Sequence, residues 1–249
     1  MPQLRHLMIK CMTMSPISCS GNMVGEARFL ENLQTLESVE NFICTEQTIE
    51  MIPNLKKLKA TYRDCKSNKK WQHYCLNNLV HLCQLETLGI SFYLSSSFSR
   101  VELFPESFSF PRNPKKLSLR GCKLPWEDLR VVGSLPNLEV LKLQFRAMVG
   151  EEWELVEGEF LRLKSLQMRW LDLKYWRAEN THFPTLEYLE IKRCLFLEEI
   201  PLEIGESPTL ELIEVYHSTF AVGSAVLIQD EQRSLGNGAL QVRVYNNFW

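Results

Sequence analysis

GSLPNLEVLKL, Gly133 to Leu143, is the stretch whose reading decides the fold. Leu138, Leu141 and Leu143 stand in the pattern Leu-x-x-Leu-x-Leu. Its last three positions alternate, so Leu141 and Leu143 share one face of a short strand while Lys142 takes the other. Pro136 precedes the first leucine by two residues, where a strand has no ladder donor to lose. Outward from this phrase the pattern recurs. Leu163, Leu166 and Met168 follow it, then Leu186, Leu189 and Ile191, then Leu210, Ile213 and Val215. Before it stand Leu85, Leu88 and Ile90; Leu55, Leu58 and Ala60; and Leu4, Leu7 and Ile9. Two copies are imperfect: Leu33 and Leu36 are followed by Ser38, and Pro114 precedes Leu117 and Leu119.

The copies start at residues 4, 33, 55, 85, 114, 138, 163, 186 and 210, a mean spacing of about 26. That lies within the roughly 20–29 residues of a leucine-rich repeat, although one step is 30. The extended signature adds Asn or Cys three residues after the last strand leucine and an apolar residue two further on. Cys122 with Leu124, Cys194 with Phe196, and Asn41 with Ile43 fill these places. No single repeat can bury its leucine face alone, so neighbours stack and share one core. The expected fold is α/β: a leucine-rich-repeat solenoid, or horseshoe, with a parallel concave sheet and an irregular or short-helical convex side. Pro2, Pro53, Pro184 and Pro208 stand two residues before a first leucine, as Pro136 does.

A solenoid end exposes its core unless it is capped. Ala221–Leu235 reads as a helix with Val222, Ala225, Val226 and Ile228 on its apolar side, stopped by Gly236-Asn237-Gly238 and followed by a strand over Leu240–Tyr245. The expected division is a repeat array over 1–217 and a C-terminal cap over 218–249. No comparable segment precedes the first repeat, and the chain is expected to be a piece of something longer.

Hydrophobic residues make up 45% of the chain and charged residues 23%, the balance of a folded chain rather than a disordered one. The net charge of −2 gives no overall attraction to nucleic acid. It hides an asymmetry: residues 1–120 hold 15 Lys and Arg against 10 Asp and Glu, and residues 121–249 hold 13 against 20. No apolar run reaches the roughly 18 residues of a membrane span. The eight cysteines lack paired CxxC spacing and are expected to be free thiols in a reducing compartment.

The rear half carries a more specific likeness. FPxxxKKLSLxxCxLPWEDL runs from Phe110 to Leu129, followed by GSLPNLEVLKL, then Gly150-Glu151-Glu152-Trp153-Glu154 and EGEF at Glu157–Phe160. HFPTLEYLEIKRC at His182–Cys194 and LEEIPLEIGESPTLELIEV at Leu197–Val215 complete it. This string resembles the C-terminal repeat region of plant intracellular nucleotide-binding leucine-rich-repeat resistance proteins, the nightshade late-blight resistance family in particular. The likeness is loose before residue 100 and close after it. Pro114 departs from the usual leucine and is expected to distort its repeat slightly. The resemblance implies a non-enzymatic, cytoplasmic protein-binding module, with any membrane association made through partners. It implies two kinds of protein partner, a pathogen effector or guarded host protein and the nucleotide-binding switch domain of the same receptor, with defence and localised cell death as the outcome. GxxxxGK[ST] is nowhere in the chain, so nucleotide binding does not carry over and no cofactor is expected. Two other readings stand beside it: the substrate receptor of an F-box ubiquitin ligase, and a truncated scaffold without activity.

On such a sheet the x positions face outward. Counting the first leucine as one, position 5 gives Ser118, Lys142, Gln167, Glu190 and Glu214; position 8 gives Gly121, Phe145, Trp170, Arg193 and His217; position 3 adds Tyr188 and Leu212. The partner-binding candidates are Lys142, Phe145, Gln167, Trp170, Tyr188, Glu190, Arg193, Glu214 and His217. Aromatics and arginine are the types enriched in interface hot spots, and stacking between rungs is the structural alternative. The acidic run Glu151–Glu159 around Trp153 reads as a solvated convex loop. The basic segment Lys56–Lys70, with Tyr62 and Trp71, reads as a loop or intramolecular contact, because no nucleic-acid module surrounds it. His73-x-Cys75 and His81-x-Cys83 offer four donors, but their spacing is unlike common zinc sites, and Leu76, Leu79 and Leu82 suggest a helix packed into the core. No metal and no catalytic residue is expected.

Overall fold

The computed structural model describes residues 4–8, 30–63, 74–93, 110–179 and 181–245. The chain folds as two compact units, Met1–Pro114 and Lys115–Trp249. Pro2, His73, and Lys66, Lys69, Lys70 and Trp71 of the basic segment lie outside the described residues.

The first unit carries β1 (His6–Met8), β2 (Thr35–Glu40), α1 (Glu46–Glu50), β3 (Lys57–Arg63) and β4 (Thr87–Tyr93). The strands pair in parallel in chain order, with repeat leucines in register: Leu7 opposite Leu36, Leu58 opposite Leu88, Ala60 opposite Ile90. Thr45 caps α1, its hydroxyl accepting from the Thr48 N–H at 3.1 Å. The imperfect second repeat is resolved by a bulge. Leu36 pairs with Leu58, but Val39, not Ser38, pairs with Ala60. Ser38 is the extra residue, exposed and left-handed at φ 60°, and Val39 fills the core. The shift corrects the signature downstream as well. Cys44 is wholly buried where Ile43 was expected, and Phe42 is buried beside it. Asn41 turns the chain at φ 50°, and its Oδ1 accepts from the Arg63 N–H at 3.0 Å and the Tyr74 hydroxyl at 3.2 Å. Nor is the described part of the basic segment a loop. Leu58, Ala60 and Tyr62 point inward, while Lys57 and Lys59 both reach Glu37 at 2.9 and 2.8 Å.

The second unit contains, in chain order, β5 (Lys116–Arg120), β6 (Leu124–Pro125), α2 (Leu129–Gly133), β7 (Val140–Gln144), β8 (Met148–Val149) and β9 (Glu152–Glu154). Then follow β10 (Ser165–Arg169), β11 (Tyr175–Arg177), β12 (Tyr188–Lys192), β13 (Leu212–Tyr216), α3 (Thr219–Ser234) and β14 (Gln241–Tyr245). Its main sheet is parallel in the order β5-β7-β10-β12-β13-β14. Leu117, Leu141, Leu166, Leu189, Ile213 and Val242 stand side by side across it. Pro114 is buried in the leucine's place and β5 keeps its register, so the expected distortion does not occur. The prolines have a sharper role than strand starts. Pro136, Pro184 and Pro208 each occupy the second position of a turn closed by the first leucine, as in Leu186 N–H to Phe183 C=O at 3.1 Å, where their fixed φ is already right.

Opposite the sheet, β6 pairs with β8 and β9 with β11. The acidic run is therefore not a solvated loop. Glu152 and Glu154 flank an inward Trp153 that is 1% exposed, and Glu159 is buried with its carboxylate accepting from the Val156 N–H. Trp126, Trp153 and Trp176 stack with ring centroids 4.9 and 5.3 Å apart, and Phe160 and Phe183 meet Trp153 edge-on. This column is a second core. In the eighth repeat Leu197, wholly buried, takes the last apolar place, and the expected Phe196 is 59% exposed.

The C-terminal helix and strand form as read, with a rotated face. Ala221, Ser224, Ala225 and Ile228 of α3 are buried, whereas Val222 is half-buried and Val226 exposed. Ser224 belongs inside because its hydroxyl accepts from the Ile200 N–H at 2.8 Å. The helix sits close on the turn Leu202–Glu206: a Cβ at Gly205 would lie 2.6 Å from Ile228 Cγ2.

Candidate functional site

Two surfaces of the second unit gather the candidate residues. The first is the open face of its sheet, where strands alternate buried and half-buried side chains. Arg169 forms a two-pronged bond to Glu190, Nε to Oε1 at 2.5 Å and Nη2 to Oε2 at 2.7 Å. Glu190 is buried, 5% exposed, so this candidate carboxylate is committed to the sheet. Burial, then the hydrogen bond to Glu214, then the charge of Glu190, push the Tyr188 phenol far above its usual range. It therefore stays protonated and donates to Glu214 at 2.7 Å and Glu190 at 3.1 Å. Arg243 approaches Glu214 at 3.7 Å. Gln167 accepts from Arg169 at 3.3 Å, and Lys142 lies half-exposed beside it on the neighbouring strand.

The sequence reading missed part of this face. Arg120, Gln144, Arg169, Lys192 and Tyr216 occupy position 7, which shares the outward parity of positions 3 and 5. Lys192 lies over the Tyr216 ring at 4.9 Å, and Tyr216 stacks on Tyr245 at 4.3 Å. Desolvation, followed by the Glu214 charge, pushes the Tyr216 phenol up to about 12.

The second surface runs along the strand ends. Gly121, Phe145, Trp170, Arg193 and His217 are all left-handed, with φ between 47° and 65°. The cause is the next rung. Each backbone N–H bonds a carbonyl one rung on: Phe145 to Arg169 at 2.8 Å, Trp170 to Lys192 at 2.9 Å, Arg193 to Tyr216 at 2.8 Å, His217 to Tyr245 at 3.1 Å. The turn throws the side chains outward onto one another. Arg120 sits 3.6 Å over Phe145, Phe145 stacks on Trp170 at 5.6 Å, and Arg193 covers Trp170 at 4.5 Å. Four successive rungs thus build a cation–aromatic–aromatic–cation column. Phe145 and Trp170 each stay 39% exposed, so stacking and accessibility coexist. His217 is half-buried one rung beyond the column. Beside the column lies a recess of about 250 Å³, lined by Phe145, Trp170, Arg193, Leu195 and Phe196, with the Arg146–Asp172 pair at 3.2 Å on its rim.

Elsewhere three cysteines, Cys44, Cys122 and Cys194, are packed in the core. Cys122 and Cys194 are buried in the turns, their thiols bonded to the Arg120 and Met168 carbonyls at 3.6 Å, and burial raises the Cys194 thiol to about 12. Leu76–His81 is a tight helical turn with Leu76 and Leu79 in the core, and Cys83 is exposed. Among the described residues no three His, Cys, Asp or Glu side chains gather as metal ligands, and no helix is long and apolar enough to cross a membrane.

No protein-family model matches the chain. In sequence it is similar to late blight resistance protein homologue R1B-16 of Solanum demissum, 32% identical over 240 residues, which cover 93% of this chain and 17% of that protein. Homologue R1B-13 of the same species is 35% identical over 82% of the chain, and late blight resistance protein R1-A is 30% identical over 93%. The chain spans about a sixth of the length of these relatives. In structure it is similar to the leucine-rich repeat domain of the type III effector XopL, with a TM-score of 0.54 at 17% identity over 87% of this chain and 70% of that one. That likeness shows the fold: this is a leucine-rich-repeat chain.

Proposed function

We propose, from the relationship of this chain to the late blight resistance proteins, that it is the partner-binding repeat region of a plant disease-resistance receptor. It recognises protein rather than transforming a substrate. One surface meets a pathogen effector or the host protein that the receptor guards, and another holds a nucleotide-binding switch domain at rest. The observation that carries this reading is the Arg120–Phe145–Trp170–Arg193 column. Two large aromatics remain accessible between guanidinium groups, on a rigid ladder of hydrogen-bonded strand ends. Interface anchors have this composition and this rigidity. Lys142, Gln167, Tyr188, Glu214 and His217 extend the surface over the sheet and along its edge, with Glu190 supporting Arg169 from beneath.

The test is a graft. The chain replaces the aligned segment of late blight resistance protein R1-A, and the chimera is expressed in leaves together with candidate effectors. Effector-dependent local cell death is expected, and Phe145→Ala with Trp170→Ala should abolish it while the protein accumulates normally. Death of equal extent with the double variant would remove the column from recognition.

A further inference from the structure

The recess beside the column points to a particular kind of occupant, resting on the protein-binding reading above. Four large apolar side chains surround it, all open to solvent: Phe145 and Trp170 at 39%, Leu195 at 54% and Phe196 at 59%. Leu195 and Phe196 are outside because the eighth repeat buries Leu197 instead, so the turn presents two adjacent hydrophobes that the core does not use. A patch of this kind is a contact surface rather than scattered exposure. At about 250 Å³ the recess falls below the roughly 300–1,000 Å³ of small-molecule pockets, and it fits one large side chain of a partner.

Charge narrows the choice. Of the charged side chains lining the recess, Arg146 and Asp172 pair with each other at 3.2 Å. The guanidinium of Arg193 lies against the Trp170 face at 4.5 Å. A guanidinium that contacts a ring through its π face still has N–H donors to offer a planar acceptor. The lining therefore offers an apolar socket with the Arg193 guanidinium beside it.

We infer that this recess seats an acidic segment of a protein partner, in which one aromatic side chain enters the socket and a flanking carboxylate meets Arg193. The aromatic side chain completes the packing of Phe145, Trp170 and Phe196. The carboxylate gains a guanidinium already fixed in place, so little further ordering is needed on binding.

Fluorescein-labelled nonapeptides with a Gly/Ser frame test this on the full chain by anisotropy, with the centres Asp-Trp-Glu, Lys-Trp-Lys and Asp-Ala-Glu. Saturable binding of the first is expected, about tenfold or more above the other two. Arg193→Gln and Phe196→Ser should each weaken it about tenfold, Arg193→Lys should restore it only in part, and Phe220→Ser on α3 should leave it unchanged. Circular dichroism confirms that each variant is folded, and Phe196, being exposed, serves if Arg193 variants do not fold. Equal binding of the charge-reversed peptide, or no saturable binding, overturns the inference. So does self-association that Phe196→Ser abolishes, which would give the socket to a second copy of this chain. If the peptides fail while the Phe145/Trp170 variant still loses cell death, only this inference falls and the receptor reading stands.

Discussion

Trp153 offers the sharpest test of how the second unit is held. It stands at the centre of the acidic run, yet is 1% exposed, stacked between Trp126 and Trp176 and met edge-on by Phe160 and Phe183. A buried tryptophan removes about 150–250 Å² from water, worth about 4–6 kcal/mol at 25 cal/mol per Å². Each ring pair adds about 0.5–1.5 kcal/mol, and partial collapse of the neighbours returns some of the loss. Trp153→Ala should therefore cost about 3–5 kcal/mol, a large share of the roughly 5–15 kcal/mol of a whole domain. Urea unfolding followed by far-UV circular dichroism measures it, because the amide signal that reports unfolding persists when the indole is removed. The near-UV signal of the coupled indoles should fall as well, and Trp153→Phe should recover much of the stability. A cost below about 1 kcal/mol for Trp153→Ala would return the run to a solvated loop and refute the second core.

Other consequences concern the first unit and the end of the second. Ser38 is an exposed left-handed residue at the bulge, so Ser38→Gly should stabilise the chain by about 1 kcal/mol, and a lower melting temperature would contradict the strain assigned there. Gly205→Ala should cost about 1–3 kcal/mol by pushing Ile228 off its seat, visible as faster amide exchange in α3; unchanged exchange would mean that the contact yields freely. The hydrogen bonds from Lys59 and then Lys57 hold the Glu37 carboxyl below its ordinary value. A depressed folded pKa gives stability that is present above the unfolded carboxylate pKa and fades as pH falls through the folded one. The melting-temperature gap between wild type and Glu37→Gln should accordingly be greatest near neutral pH and close in acid, and a gap independent of pH would show that the lysines contribute no net stabilisation.

The repeat phase was legible because leucine spacing encodes both the strand face and the rung spacing. What escaped it were one-residue displacements. Polar Ser38 marks LQTLESVE as irregular, but only the pairing of Val39 with Ala60 on the next rung shows that the irregularity is one extra residue. The choice between Phe196 and Leu197 is of the same kind, between two hydrophobes in a turn without period. The tryptophan column hid for a related reason. Trp126, Trp153 and Trp176 stand seven, ten and eight residues after Leu119, Leu143 and Met168, so no fixed period marks them. At the candidate surface, parity alone would have added Arg120, Arg169, Lys192 and Tyr216. Commitment of Glu190 to Arg169 depends on a neighbouring rung and has no local trace.

The left-handed row shows how far the fold itself dictates this surface. In the second unit the rungs that carry β5, β7, β10, β12 and β13 turn at the same place, and glycine does so without strain, as Gly121 does. Phe145, Trp170 and Arg193 each carry about 1 kcal/mol or more of backbone strain at that position. Their mutual contacts return a comparable amount: about 0.5–1.5 kcal/mol for the ring pair, and about 0.5–1 kcal/mol for each guanidinium on a ring at an exposed site. The strain comes to about 3 kcal/mol or more and the contacts to about 1.5–3.5 kcal/mol, so the column gives folding no net gain over glycine at these turns. An arrangement that gives folding no net gain, and that leaves two aromatic side chains partly in water, gains its free-energy advantage only when something else covers them.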